Sequence, residues 1–123
     1  MGIQTSMMYQ FPPVALLAPA ADAAGRTSPY RDLANAMKAY IVCHINQGNA
    51  ATVQLSLTQA KDVLGTGAKA ISNVFPIFYQ GNTASSDANV QQTSAASFTT
   101  DANVYDKIVI FELLPEQDRK SVV

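Results

Sequence analysis

Residues 39–60, AYIVCHINQGNAATVQLSLTQA, carry the period of a pleated strand twice and very little reactive chemistry. Tyr40, Val42 and His44 alternate with Ile41, Cys43 and Ile45, and further on Val53, Leu55 and Leu57 alternate with Gln54, Ser56 and Thr58. Side chains two apart share one face of a strand, so the first segment is expected to be apolar on both faces and the second on one. Between them Asn46, Gln47, Gly48 and Asn49 tolerate turn dihedrals, and the pattern predicts a β-hairpin.

The rest of the chain repeats this theme of short strands and frequent turns. VFPIFY at residues 74–79 is the most apolar and aromatic run; Pro76 removes a ladder donor, which predicts an edge strand or a bulge. Residues 80–96 form a polar Ser/Thr/Asn/Gln tract, read as loop with one short strand near 89–93. Further strands are expected at 97–100 and 107–114, where IVIF at 108–111 is apolar on both faces, as a central strand of a sandwich requires. Residues 30–37 suit a short helix or a strand, with the strand preferred, and residues 58–63 suit a brief helical turn before the irregular Gly65-Thr66-Gly67. Pro12, Pro13, Pro19 and Pro29 leave no room for a long helix in residues 1–29, which read as an extended Ala/Pro-rich N-terminal arm. The expected fold is therefore all-β: a single β-sandwich or jelly-roll-like domain over residues 30–116, preceded by that arm.

At 123 residues the chain has enough material for one core. With 48% hydrophobic and 14% charged residues it stands above the disordered class, yet it presents a neutral polar surface of the kind buried in assemblies. The net charge of -1 and the lack of a Lys/Arg cluster argue against nucleic-acid binding, which depends on neutralising several phosphates together. One cysteine forms no internal disulfide. The apolar run at residues 14–18 is too short and lacks the cationic start of a signal peptide, and no run approaches the length of a membrane span, so no membrane partner is expected.

Each chemical motif has a plainer reading. Gly65-Thr66-Gly67-Ala68-Lys69-Ala70 fits a loose G-x-G-x-x-A dinucleotide pattern, with Asp87 at the spacing of a ribose-binding acid. Lys61 and Asp62 interrupt the strand that pattern requires, and Pro76 cuts short the helix, so a turn is expected. Cys43 and His44 are adjacent on a strand and point to opposite faces, which excludes a shared metal or a nucleophile–base pair. Asp87, after Ser85 and Ser86, and Asp101, after Thr99 and Thr100, are expected to mark Asx or Ser/Thr turns and not calcium ligands, with Asp101 and Asp106 flanking a turn. Tyr40, Phe75, Phe78, Tyr79, Phe98, Tyr105 and Phe111 are expected in the core, with Tyr79 and Tyr105, beside polar loops, the best placed to form an interface or ligand patch together with Asp87. No catalytic residue, metal ligand or cofactor site is assigned.

The segments ADAAGRTSPY, KAYIVCHINQGNAATVQLSLTQAKDVLGTGAKAI, the Ser86-Asp87 turn, and ASFTTDANVYDKIVIFELLPE together resemble a family of small structural proteins of tailed bacteriophages, over about residues 21–115. The resemblance carries no catalytic residues. It implies a non-enzymatic virion protein made in the bacterial host cytoplasm: a head decoration, minor capsid or head–tail component, homo-oligomeric, with capsid or connector subunits as partners. It also implies a chain that runs on past Pro115 and Glu116 into another strand. Residues 117–123 are then expected to be non-native, as adapter sequence at the edge of a metagenomic contig would be, and the domain to lack its last strands. The alternative is a host-receptor or carbohydrate-binding β-sandwich using the 80–96 loop and the exposed tyrosines.

Overall fold

A computed structural model of the chain describes residues 14–18, 20, 25–31, 38–71 and 74–113. The described residues contain eight strands and no helix: β1 (Ala39–Asn46), β2 (Gln54–Ser56), β3 (Thr58–Gln59), β4 (Lys69–Ala70), β5 (Phe75–Gln80), β6 (Val90–Ala95), β7 (Ser97–Thr99) and β8 (Asp106–Leu113). They form a four-stranded antiparallel sheet in the order β1-β8-β5-β6, with two smaller pairs, β2-β7 and β3-β4. The fold is all-β and sandwich-like.

The last strand in the chain occupies the middle of the main sheet. β8 runs antiparallel to β1 along its whole length, from Ala39 opposite Leu113 to Asn46 opposite Asp106, and on its other side it pairs Ile77 to Gln80 of β5 with Phe111 to Ile108. The central position expected for IVIF is therefore found. Two apolar faces suit it because each meets other strands' side chains on both flanks.

The inner face of the sheet is set by parity. Val109, Phe111 and Leu113 of β8 and Phe75 and Ile77 of β5 are buried, and they form one cluster with Leu57 and Ile71 from the second layer. Ile41, Cys43 and Ile45 of β1, together with Leu55, Tyr79, Ala95 and Phe98, pack around it. Burying a side chain such as Phe111 or Ile77 stabilises the fold by about 1.5–3 kcal/mol relative to leaving it in water.

The expected hairpin over residues 39–60 is not formed. β1 joins β8 in the main sheet, whereas β2 pairs with β7 in the other layer, Leu55 standing opposite Phe98. The strands themselves are where their alternation placed them. The partner of β1 is instead β8, which sets Ile41, Cys43 and Ile45 beside Phe111, Val109 and Lys107 on one face, while residues 47–53 are tied as a crossover between layers.

Pro76 stands opposite a bulge and does not mark an edge: between the pairs Phe75–Ala95 and Ile77–Gln92, β6 carries one residue more than β5. β5 has neighbours on both sides, and its ladder with β6 shifts register between Phe75 and Ile77, where the missing donor would otherwise leave a gap. β6 and β7 match the short strands expected in the polar tract and at 97–100. The brief helical turn expected at 58–63 is replaced by β3 and a tight loop in which Asp62 Oδ1 accepts the Leu64 and Thr66 amides at 2.9 and 3.2 Å. Acceptance of both amides by one carboxylate closes an Asx-type turn, which competes with helix here.

Of the region expected as an arm, the described residues 14–18, 20 and 25–29 form neither helix nor strand, and Arg31 Nη2 donates to the Ala15 carbonyl at 3.0 Å. The strand preferred for 30–37 falls outside the described residues apart from Tyr30 and Arg31, which are not in a strand, and the tail 117–123 lies outside them too.

Candidate functional site

Lys107, the second residue of β8, lies on the inner face in phase with Val109, Phe111 and Leu113, and its side chain is fully buried. Nζ reaches Gln47 Oε1 at 2.8 Å, the Asp101 carbonyl at 2.8 Å and Asp101 Oδ1 at 2.9 Å. An ammonium has three protons to donate, and all three are used. The geometry is that of a lysine held in place by the loop and strand around it.

Gln47 is the hub of this knot. Its Nε2 donates to the Ala51 carbonyl and, at 3.1 and 3.4 Å, to the carbonyls of Asp101 and Asn49. Its Oε1 accepts from Lys107 and from Thr100 Oγ1, the latter at 3.1 Å, while Thr100 Oγ1 accepts the Val53 amide at 3.0 Å. One buried amide thus holds the crossover 47–53, the end of β7 and the start of β8 together. Among the described residues no buried side-chain nitrogen or oxygen lacks a partner, as a low-dielectric site demands.

The knot surfaces at Asp101 and Tyr79. Tyr79 Oη donates to Asp101 Oδ2 at 2.9 Å, and its ring lies 4.9 Å from that of Phe98, tilted by 53°. Desolvation, then the neighbouring carboxylate, pushes the Tyr79 phenol up to about 12. The hydrogen bond from Lys107 holds Asp101 below its ordinary value, and the Asn103 amide, donating to Oδ1 at 2.9 Å, adds to this. Asp101 is thus the turn cap that its sequence suggested and, in addition, the counter-ion of a buried lysine.

The proposed patch residues do not converge. Tyr79 is engaged on its ring and its hydroxyl; Tyr105 is 47% exposed, its carbonyl accepting the Gln47 amide. Asp87 is exposed in the 81–89 loop, and no hydrogen bond or ring contact joins it to either tyrosine. Of the Asx or Ser/Thr turns expected there, the Ser/Thr form is found, Ser86 Oγ accepting the Ala88 amide at 3.2 Å, while Asp87 itself caps none and Asn82 Oδ1 accepts the Ala84 amide. The aromatic core is smaller than expected, with Phe75 and Phe111 fully inside, Tyr79 and Phe98 partly so, and Tyr40 59% exposed. Cys43 faces inward opposite Val109, and burial raises its thiol pKa; His44 is exposed on the other face opposite Ile108.

The glycine loop also resolves as structure. Gly65 and Gly67 have φ of +84° and +64°, Ala68 N donates to the Gly65 carbonyl, and β4 follows where a dinucleotide site would need a helix. A shallow open hollow beside the loop is lined by Gln59, Ala60, Lys61, Gly67 and Lys69. No group of three or more His, Cys, Asp or Glu among the described residues is placed to hold a metal ion, and no described helix is long and apolar enough to cross a membrane.

The second distinctive surface is the outer face of the main sheet. By register, Val42, Ile110 and Phe78 form one row across β1, β8 and β5, and His44, Ile108 and Gln80 form the next. Val42 is 62% exposed. At the end of this face Lys38 Nζ pairs with Glu112 Oε1 at 2.5 Å and lies 5.7 Å from the Tyr40 ring centroid. An apolar stripe rimmed by a paired charge is a surface suited to contact with another molecule.

No protein-family model, curated protein or solved structure matches the chain.

Proposed function

We propose that this chain is a non-enzymatic structural protein of a tailed-phage particle, acting by packing as a head decoration, minor capsid or head–tail component. The observation that carries the reading is the Val42–Ile110–Phe78 row, an apolar stripe on the outside of a sheet whose inside is already filled. The buried Lys107 knot supports it, because a cation with every proton engaged stiffens a scaffold and leaves nothing for chemistry. The sequence resemblance to phage structural proteins points the same way. A rigid domain that binds the assembled lattice better than free subunits shifts assembly by that difference, and many copies multiply weak contacts into avidity. Mass spectrometry of purified particles from a phage carrying this gene tests the reading: the protein should be found in stoichiometric amount, and its absence would overturn the proposal.

A glycan-binding role is the second reading, favoured by the exposed Tyr105 beside Val104, which is also exposed. Glycan-array binding lost on Tyr105→Ala would put it first.

A further inference from the structure

We infer that β1 pairs with β1 of a second copy of this chain, antiparallel about a two-fold axis, joining two four-stranded sheets edge to edge. The inference deepens the packing role proposed above and rests on it for treating the chain as an assembling protein; the pairing itself is argued from β1.

Among the described residues β1 is hydrogen-bonded on one side only, to β8. Exposed sheet edges are ordinarily blunted by charge, proline, a bulge or shortness. β1 has none of these: it is eight residues long, AYIVCHIN, with no proline, no Asp, Glu, Lys or Arg, and an unbroken register with β8. The opposite edge differs. β6 carries Gln91, Gln92, Thr93 and Ser94 and lies beside the register shift at Pro76. Of the two edges, β1 is, among the described residues, the one left open to another strand.

Charge selects the occupant and its direction. Lys38 precedes β1, and at the strand's other end Asn46 stands opposite Asp106. Lys38 and Asp106 share the outer face by parity, as the Lys38–Glu112 contact shows for the lysine. Antiparallel self-pairing brings each Lys38 beside the second copy's Asn46, with its Asp106 one strand further in on the same face, so that unlike charges approach each other twice. Parallel pairing would set Lys38 against Lys38. Antiparallel pairing of a strand with its own copy keeps inner side chains with inner ones only if paired numbers add to an even sum, so the axis passes midway between one residue and its own copy. Centred on Val42, it opposes Tyr40 to the second copy's His44, Ile41 to its Cys43 and Val42 to its Val42. The outer apolar row then runs continuously across both copies.

Sedimentation of the full chain from low to high micromolar concentration tests this, with Val42→Lys as the variant and hydrogen exchange of the β1 amides as the second measurement. Val42 is 62% exposed in the single copy, so Val42→Lys should leave the monomer's fold intact, its thermal midpoint matching wild type at concentrations too low for the dimer, while setting like charges opposite each other in the pair. The expected result is a wild-type dimer with slowly exchanging β1 amides, weakened by about tenfold or more in Val42→Lys. A wild-type monomer overturns the inference, whether its β1 amides exchange fast, as an open edge would, or slowly, as an edge covered by the chain's own residues 1–13 would. A dimer indifferent to Val42→Lys also overturns it. The two readings fail separately: a monomer found in particles ends self-pairing and keeps the virion role, whereas a β1 dimer absent from particles does the reverse.

Discussion

Lys107 Nζ lies 2.9 Å from Asp101 Oδ1, and the two ends of this ion pair are solvated very differently: the lysine side chain is 0% exposed and the aspartate side chain 43%. Removing one partner of a buried pair is costly because of the charge left behind, so the two deletions should not cost the same. Asp101→Ala strands a cation with only Gln47 Oε1 and a backbone carbonyl for company, and should cost about 3–5 kcal/mol. Lys107→Met strands an anion that water reaches, and leaves Gln47 Oε1 still bonded to Thr100, so about 1–3 kcal/mol is expected. Urea unfolding of the two variants checks the order; equal losses would mean that the charge is not what matters.

Acid should weaken the fold through the same carboxylate. Asp101 is held below its ordinary value by the hydrogen bond from Lys107, and Asp62 below its own by Thr66. A depressed folded-state pKa gives stability that is present above the unfolded value and lost as pH falls through the folded one. Stability should therefore be level above about pH 5 and fall below about pH 4. In Asp101→Asn part of that slope should vanish, the remainder belonging to Asp62. A pH series of urea midpoints shows whether it does.

Tyr79 should titrate late. Its phenol is raised to about 12, so the folded protein holds that proton more tightly than the unfolded chain, and the associated stability is complete below about pH 10 and lost as pH climbs to about 12. Alkaline absorbance titration should show a phenol ionising at about pH 12. Tyr79→Phe should remove the late step and cost about 1.5 kcal/mol for a partly exposed hydrogen bond to a carboxylate.

The two faces of the main sheet should respond unequally to truncation. Phe111 is 1% exposed within the core cluster, whereas Phe78 is half-buried on the outer face. Phe111→Ala should cost about 3–5 kcal/mol, and Phe78→Ala well under half of that. Comparable losses in thermal unfolding would mean that the outer face is covered within the single copy.

Gly65→Ala should destabilise for two reasons acting together. Its φ of +84° disfavours any Cβ by about 1–2 kcal/mol, and an added Cβ would stand 3.0 Å from the Tyr30 ring. Tyr30 Oη accepts a hydrogen bond from Thr58 Oγ1 at 3.2 Å, so displacement of the ring should also disturb β3. A thermal midpoint lowered by several degrees is expected; Gly48→Ala, at a position with open space around it and ordinary φ, provides the control.

Strand positions were legible because alternation is a local signal: the pattern around Ile41–Ile45 and at Ile108–Phe111 marks β1 and β8 directly. Partnership was not, since Asn46-Gln47-Gly48-Asn49 is equally compatible with a hairpin turn and with a crossover. The choice depends on β8, which arrives some sixty residues later. Lys107 was hidden by a related ambiguity. Ile108 and Ile110 are as apolar as Val109 and Phe111, so nothing in the run itself says which parity faces inward. Had the inner face been known, a lysine in phase with Val109 and Phe111 would have signalled a buried ion pair, and a carboxylate six residues upstream would have been its natural partner. Tyr79 and Tyr105 were found as loop-side aromatics, but the capture of Tyr79 by Asp101 and Phe98 is a tertiary event with no local signature.

The register shift at Pro76 bears on how far such a protein could polymerise. A sheet with two receptive edges grows without limit and ends as a fibre; one with a single receptive edge is finished after one encounter. With the ladder irregular beside β6 and β1 left straight, the β1 pairing inferred above would stop at two, and a stock kept at high concentration would then stay a solution of pairs.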